Sequence, residues 1–244
     1  MYDKQDLLNE NPWFTKDRSE SSSIRMPDRI FNNLTVSNLG LGLNVYKNAI
    51  SLKDCNEYIN ILESTLNGQT EYKWSEAQVT NSSKPIKLAR DCSDFKYKPE
   101  HLGPRNQNNH KLIDMHQEIY NILKSCIDDY ATYWGISVNY YEAFNFVKYE
   151  GSGQQFRIHA DHGPNYACTV SAVIYLNDDY DGGELYFPRL DKLTYKPTVG
   201  DIAVFPSNYI YEHASLDMIS GTKYCVVVMT DLNDNAHKER GWNA

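Results

Sequence analysis

The sequence predicts an α+β domain, mainly β, in which two helices lie against one sheet of a sandwich or jelly roll. Three observations carry this. The second half breaks into short apolar or period-two runs separated by Gly, Pro, Asn and Asp. The first half holds two longer stretches of helical period. Tyr is abundant, 19 of 244 residues with aromatics at 13%, and aromatic side chains suit pleated, half-buried surfaces.

Residues 1–40 read as a polar N-terminal arm. Residues 19–23 form a Ser/Glu tract, and Gly40 and Gly42 close the region. Such an arm is a surface-hugging tail, or else a dimerisation or lid segment. Residues 41–235 read as one domain, followed by a tail at 236–244. Val45 and Tyr46 suit a short strand. Ser51 can cap a helix carrying Leu52, Cys55, Tyr58, Ile59, Leu62 and Leu66 on one face, with Gly68 after its end. Residues 69–106 are polar and irregular, with Pro85, Pro99 and Pro104, which suits a binding loop. A second helix is expected over 108–134, striped by Leu112, Met115, Ile119, Leu123 and Ile127 and stopped by Gly135. After Gly135 the period changes. Val138, Tyr140, Glu142, Phe144 and Phe146 alternate, and further strands are expected over 168–176, 184–187, 202–205 and 223–230.

Composition excludes several classes. Twenty-four Lys and Arg against 32 Asp and Glu give a net charge of −8 without any basic block, which argues against a nucleic-acid partner. No apolar run reaches the roughly 18–20 residues needed to cross a bilayer. The polar start shows no secretory signal, so an intracellular, cytoplasmic setting is expected. Five widely spaced Cys without a CxxC argue against a disulfide scaffold or a thiolate zinc site. Oligomeric state leaves no sequence signal.

Three His lie two residues before an acid: His116 with Glu118, His159 with Asp161, and His237 with Glu239. On a helix, His116 and Glu118 point to different faces. His237 and Glu239 fall in the polar tail. His159 and Asp161 lie in an extended region, where residues i and i+2 share a face. A third ligand is needed, and His213 is the candidate, following the 202–205 strand and a short loop. Two His and one carboxylate with open positions opposite suit a non-haem Fe(II) oxygenase. The neighbouring His162 faces away on strand alternation. Lys223 begins a strand whose same-face partners Cys225, Val227 and Met229 are apolar. If that face is interior, the ammonium requires an anion.

Residues 138–232 resemble the catalytic core of the prolyl 4-hydroxylase-like 2-oxoglutarate/Fe(II) dioxygenases. The resemblance rests on Tyr149, Gly151 and Gly153, then His159 and Asp161, then Tyr175, Leu176 and Asn177. It continues through Gly182, Gly183, Glu184, Phe187 and Pro188, then Lys196, Pro197, Gly200 and Asp201, then Phe205, His213 and Lys223. It implies a cupin-like double-stranded β-helix, a jelly roll with helices packed on one sheet. It implies Fe(II) held by His159, Asp161 and His213, and 2-oxoglutarate as cosubstrate, with ascorbate as an accessory reductant. Lys223 would pair with the distal carboxylate of 2-oxoglutarate and Tyr149 would hydrogen-bond it, with Ser171 beside the cosubstrate. The reaction would be hydroxylation of a prolyl or other amino-acid C–H with O2, releasing succinate and CO2. An intact Asp161 favours hydroxylation over halogenation. The substrate would be a peptide, a protein or a small amino-acid-like molecule, contacted by the 69–106 segment; Trp74, Arg90 and Tyr97 are either anchors there or surface packing. A zinc hydrolase using the same three ligands, or a metal-binding jelly-roll module without catalysis, are the alternatives.

Overall fold

The structure, a computed structural model, describes residues 27–40, 42–79, 82, 84–163 and 167–237. In chain order its elements are β1 (Arg29–Phe31), β2 (Leu34–Gly40), β3 (Leu43–Tyr46), α1 (Leu52–Thr65), β4 (Ser75–Glu76), β5 (Arg90–Asp91), β6 (Ser93–Tyr97), α2 (His110–Trp134), β7 (Tyr140–Tyr141), β8 (Phe144–Glu150) and β9 (Gln155–His159). Then follow β10 (Val170–Tyr175), β11 (Asp181–Gly182), β12 (Leu185–Phe187), β13 (Leu193–Tyr195), β14 (Ile202–Pro206), β15 (His213–Ser215), β16 (Met218–Ser220) and β17 (Thr222–Asp231). The main sheet runs β1-β2-β3-β14-β10-β17-β8-β6-β4, with β7 also on β17. A second sheet runs β13-β12-β15-β9-β5. This two-sheet antiparallel β architecture with two helices is the jelly-roll class.

The central strands β10, β14 and β17 sit between two cores, and their alternation decides which residues enter each. Ala172, Ile174, Val204, Val226 and Val228 face the helices. Val173, Tyr175, Ala203, Phe205 and Cys225 face the second sheet. Burial on both faces explains why residues 168–176 read as a continuous apolar run rather than an alternating one. The helical layer is supplied by α2, whose Leu112, Ile119, Leu123 and Ile127 are fully buried. Each such side chain contributes about 1.5–3 kcal/mol of burial. Gly135 ends α2 in the left-handed conformation, φ 66°. Ser51 caps α1, its hydroxyl accepting from the Asp54 amide at 3.1 Å. His116 is a core residue, packed on Phe144 and Tyr97, and burial lowers its pKa to about 4, so it stays neutral.

Several expectations need correction. Residues 1–26, including the Ser/Glu tract, lie outside the described residues. The remainder of the expected arm is not loose. β1 and β2 extend the main sheet from β3, with Val36 buried. The Arg29 guanidinium pairs with Asp129 on α2, which also accepts from the Tyr46 hydroxyl at 2.7 Å. The main sheet therefore begins before residue 41. The 69–106 segment is not one irregular loop either. It supplies β4 and β6 to the main sheet and β5 to the second. β6 was hidden because its apolar Phe95 and Tyr97 alternate with Asp94 and Lys96. Trp74 donates to Glu63 at 3.1 Å and Tyr97 to the Leu112 carbonyl at 2.8 Å; both belong to the helical layer. Of the tail, residues 238–244 lie outside the described residues. His237 is no loose tail residue: it is buried, with Nδ1 3.0 Å from Glu142 and Nε2 3.1 Å from Asp231.

Asp201 and Gly200 show how a motif can be architectural. Asp201 is fully buried and accepts from Lys47 Nζ at 2.5 Å, Asn48 N at 3.0 Å and Thr198 N at 2.8 Å. It fastens the turn before β14 onto the end of β3. Gly200 has φ +79°, and a Cβ there would stand 2.0 Å from the Ile50 carbonyl oxygen. Gly200→Ala is expected to cost about 2 kcal/mol or more through left-handed strain plus the clash. Urea unfolding measures this; an unchanged midpoint would contradict it.

Candidate active site

Three strand ends converge between the sheets. β9 and β15 are adjacent, and their register sets His159 opposite His213. Asp161 follows two residues beyond β9. The three offer ligand atoms all within 4.8 Å of one another, the one such group among the described residues. His159 Nδ1 is 2.8 Å from the Arg157 carbonyl and His213 Nδ1 is 3.0 Å from the Tyr211 carbonyl. A carbonyl only accepts, so each Nδ1 carries the proton and each Nε2 keeps its lone pair. Both Nε2 atoms face Asp161, at 3.4 and 3.8 Å.

Electrostatics suit a cation. Burial pushes the His213 pKa down to about 4, so its imidazole is neutral near pH 7. Burial alone would raise the Asp161 carboxyl, but His213, His159 and the Ser171 hydroxyl outweigh it and hold it at about 2. The set is two imidazoles and one carboxylate, the donor set of a non-haem Fe(II) site. His162 lies outside it, with Nδ1 2.9 Å from the Cys168 carbonyl.

A pocket opens from this cluster toward the start of β17. Its walls include Asn145, Val147 and Tyr149 of β8, Tyr175 of β10, Ser215 of β15, and Lys223, Cys225, Val227 and Met229 of β17. Lys223 lies opposite Tyr149 in the β8–β17 register. The Lys223 ammonium is buried and donates to the Gly183 carbonyl at 2.6 Å and Ser215 Oγ at 2.9 Å. Burial lowers its pKa, and no carboxylate pairs with it in a salt bridge among the described residues. An ammonium has three donors; one remains for an anion. Burial pushes the Tyr149 phenol well above its ordinary pKa, so it stays protonated and able to donate.

The motif residues around Lys223 hold its backbone. Asn177 donates to the Thr222 carbonyl at 2.7 Å and accepts from the Tyr224 amide at 2.8 Å, bracketing Lys223. A Cβ on Gly183 would stand 2.6 Å from Met218 Sδ and 3.2 Å from Lys223 Cδ. Ser171 differs from expectation. It sits behind Asp161, donating to Oδ2 at 2.5 Å and touching Ser207 Oγ at 2.7 Å. It contacts the Asp161 carboxylate and is not among the residues that line the pocket. Of the three residues named in the 69–106 segment, Arg90 alone lines the pocket.

Sequence reasoning missed Ser215 and Phe156. Ser215 is two residues after His213, so period-two alternation on β15 could have found it. Phe156 could not be found this way. The β9–β15 pairing shifts register, with two steps on β15 matching three on β9. A bulge of this kind re-aims side chains.

Residues 144–230 match the model of the 2OG-Fe(II) oxygenase superfamily. The chain shares its fold with solved prolyl hydroxylases. It is similar in structure to a prolyl hydroxylase from Trichoplax adhaerens, solved with a hypoxia inducible factor peptide fragment. That likeness has 16% identity and a TM-score of 0.61, and covers 78% of this chain and 83% of the other. A viral collagen prolyl hydroxylase from Paramecium Bursaria Chlorella virus-1, solved with 2OG, gives 19% identity and 0.53, covering 78% and 96%. A prolyl-4-hydroxylase from Pseudomonas putida gives 16% and 0.54, covering 79% and 93%. No curated protein sequence matches. No helix among the described residues is long and apolar enough to cross a membrane.

Proposed function

We propose that His159, Asp161 and His213 hold Fe(II), and that Lys223 and Tyr149 receive the distal carboxylate of 2-oxoglutarate. The enzyme then hydroxylates an aliphatic C–H of a prolyl or other amino-acid residue within a peptide. One observation carries this reading: a convergent two-His, one-carboxylate cluster shares a pocket with a buried ammonium that has no salt-bridge partner among the described residues. Bound Fe(II) and 2-oxoglutarate supply the oxidising chemistry, with O2 consumed and succinate and CO2 released. The protein's own part is placement. The carbonyls of Arg157 and Tyr211 fix the tautomers, Ser171 orients Asp161, and the apolar wall of Val147, Val173 and Val227 keeps water from the reacting end.

The peptide preference draws support from the structural relatives solved with, or named for, peptide and collagen substrates. We further read residues from 29 onward as one catalytic domain, because β1 and β2 belong to its main sheet. Five free, buried cysteines suit a reducing, intracellular compartment. Among the described residues that line the pocket, Asp161 is the one carboxylate, so the zinc-hydrolase alternative finds no further carboxylate base there. Glu212 accepts from Arg189 Nε at 2.7 Å and does not line the pocket.

The test is a panel of proline-containing peptides, other peptides and free amino acids, assayed with Fe(II), 2-oxoglutarate and O2. The expected result is succinate formation stimulated by a peptide, with that peptide gaining one oxygen in mass. Stimulation by free amino acids alone would overturn the peptide assignment. Turnover with Zn(II) in the absence of O2 would overturn the oxygenase reading.

A further inference from the structure

His159 is the most open of the three clustered residues. Its side chain is 22% exposed, against 8% for His213 and 3% for Asp161. His213 is walled by the rings of Phe187 and Phe205, and Asp161 by Ser171 and its neighbours. The Arg157 carbonyl holds Nδ1, Asp161 lies 3.4 Å from Nε2, and the His213 ring leans on the imidazole with centroids 4.4 Å apart and planes 52° from parallel. None of these three lies flat on the His159 ring, so its plane needs a further support.

The holding group is a stack built across β5 and β9. The Phe156 ring lies on His159 with centroids 3.6 Å apart and planes 19° from parallel. The Arg90 guanidinium covers Phe156, 4.9 Å from the ring centroid. Arg90 faces Phe156 directly in the strand register. It is itself fastened: one terminal nitrogen pairs with Asp94 at 3.0 Å and another donates to the Gln78 carbonyl at 3.1 Å. Its side chain is 11% exposed. These two contacts fix the orientation of the guanidinium, which stands as part of the pocket wall.

We infer that Arg90 and Phe156 are positioning residues that clamp the His159 imidazole for metal binding. The inference rests on the proposed role of His159 as an Fe(II) ligand. It gives the 75–97 region a task distinct from substrate contact. This segment, remote in sequence from the ligands, preorganises the one ligand that its own strand leaves loose.

The test titrates the metal-free protein with Fe(II) alone under argon, so no turnover is needed. Phe156→Leu, which removes the ring, is expected to weaken Fe(II) binding by about 10-fold or more, the scale of lost support around a metal ligand. Arg90→Lys keeps the charge but loses the planar stack and is expected to weaken binding several-fold. Phe156→Tyr keeps the ring and should bind like the wild type. Circular dichroism checks that each variant is folded; if Phe156→Leu is not, Arg90→Lys decides. Folded Phe156→Leu or Arg90→Lys with wild-type affinity overturns the clamp. So does an Arg90 variant whose only defect is a raised KM for the substrate. His159→Ala separates the two levels. If it loses Fe(II) while Phe156→Leu keeps it, the clamp alone falls. If it binds Fe(II) like the wild type, the ligand assignment falls.

Discussion

Alanine at His159, Asp161 or His213 is expected to abolish Fe(II) binding and 2-oxoglutarate consumption together. Losing a group that merely supports a metal ligand costs roughly 10–100-fold in affinity, so loss of a ligand itself should exceed that range. The three should also differ. His213→Ala opens a cavity against Phe187 and Phe205 and should lower thermal stability as well. His159 is the most exposed of the set, and its removal should leave the metal-free fold nearly unchanged. Asp161→Ala leaves Ser171 and Ser207 bonded to each other, so its structural cost should be small beside its loss of metal. Wild-type turnover in any one variant would remove that residue from the site. Anaerobic titration and succinate release are the two readouts.

The second large effect belongs to Lys223. Truncating one partner of a buried, hydrogen-bonded charge pair costs about 2–5 kcal/mol. Lys223→Ala is therefore expected to raise the 2-oxoglutarate concentration required by roughly 30-fold to several thousand-fold. Fe(II) affinity should change little, because Lys223 lies at the far end of the pocket. The ligand-free protein should respond in the opposite sense. There the ammonium is buried without a salt-bridge partner among the described residues, a desolvation cost that an apolar side chain avoids. Lys223→Met should thus melt at the same temperature as the parent or higher when 2-oxoglutarate is absent. It should also lose the stabilisation that 2-oxoglutarate gives the parent. An unchanged cosubstrate requirement would dismiss the pairing, and a marked fall in Tm without cosubstrate would make Lys223 a structural residue.

What the sequence made legible follows from where periodicity survives. The spacing of His159 and Asp161, the lone His213 after an apolar strand and the apolar partners of Lys223 all depend on period-two alternation. The structure brings these residues around one pocket. The helices are legible because α1 and α2 carry unbroken apolar stripes, with Ser51 capping the start of α1 and Gly135 closing α2. Legibility failed where polar residues hold structural positions. β6 looked like loop because Asp94 and Lys96 face the polar side of a sheet. The first strands looked like an arm because their anchor, Arg29 with Asp129, joins residues 100 positions apart. Phe156 was hidden by a bulge, which breaks the count on which strand reasoning relies. The contact of Ser171 with Asp161 is not legible, since sequence cannot tell which side of a carboxylate a hydroxyl approaches.

The two N-terminal strands also matter for how the molecule keeps to itself. β3 is buried at all four positions and has β14 on one flank and β2 on the other. Cut away at residue 41, it would present a bare row of amides and carbonyls on an apolar ribbon, the template on which chains add to one another. Among the described residues this side of the sheet instead ends in the three-residue β1, a short edge tied down by an arginine. Part of the stretch that reads as a polar arm thus covers the backbone edge that β3 would otherwise expose.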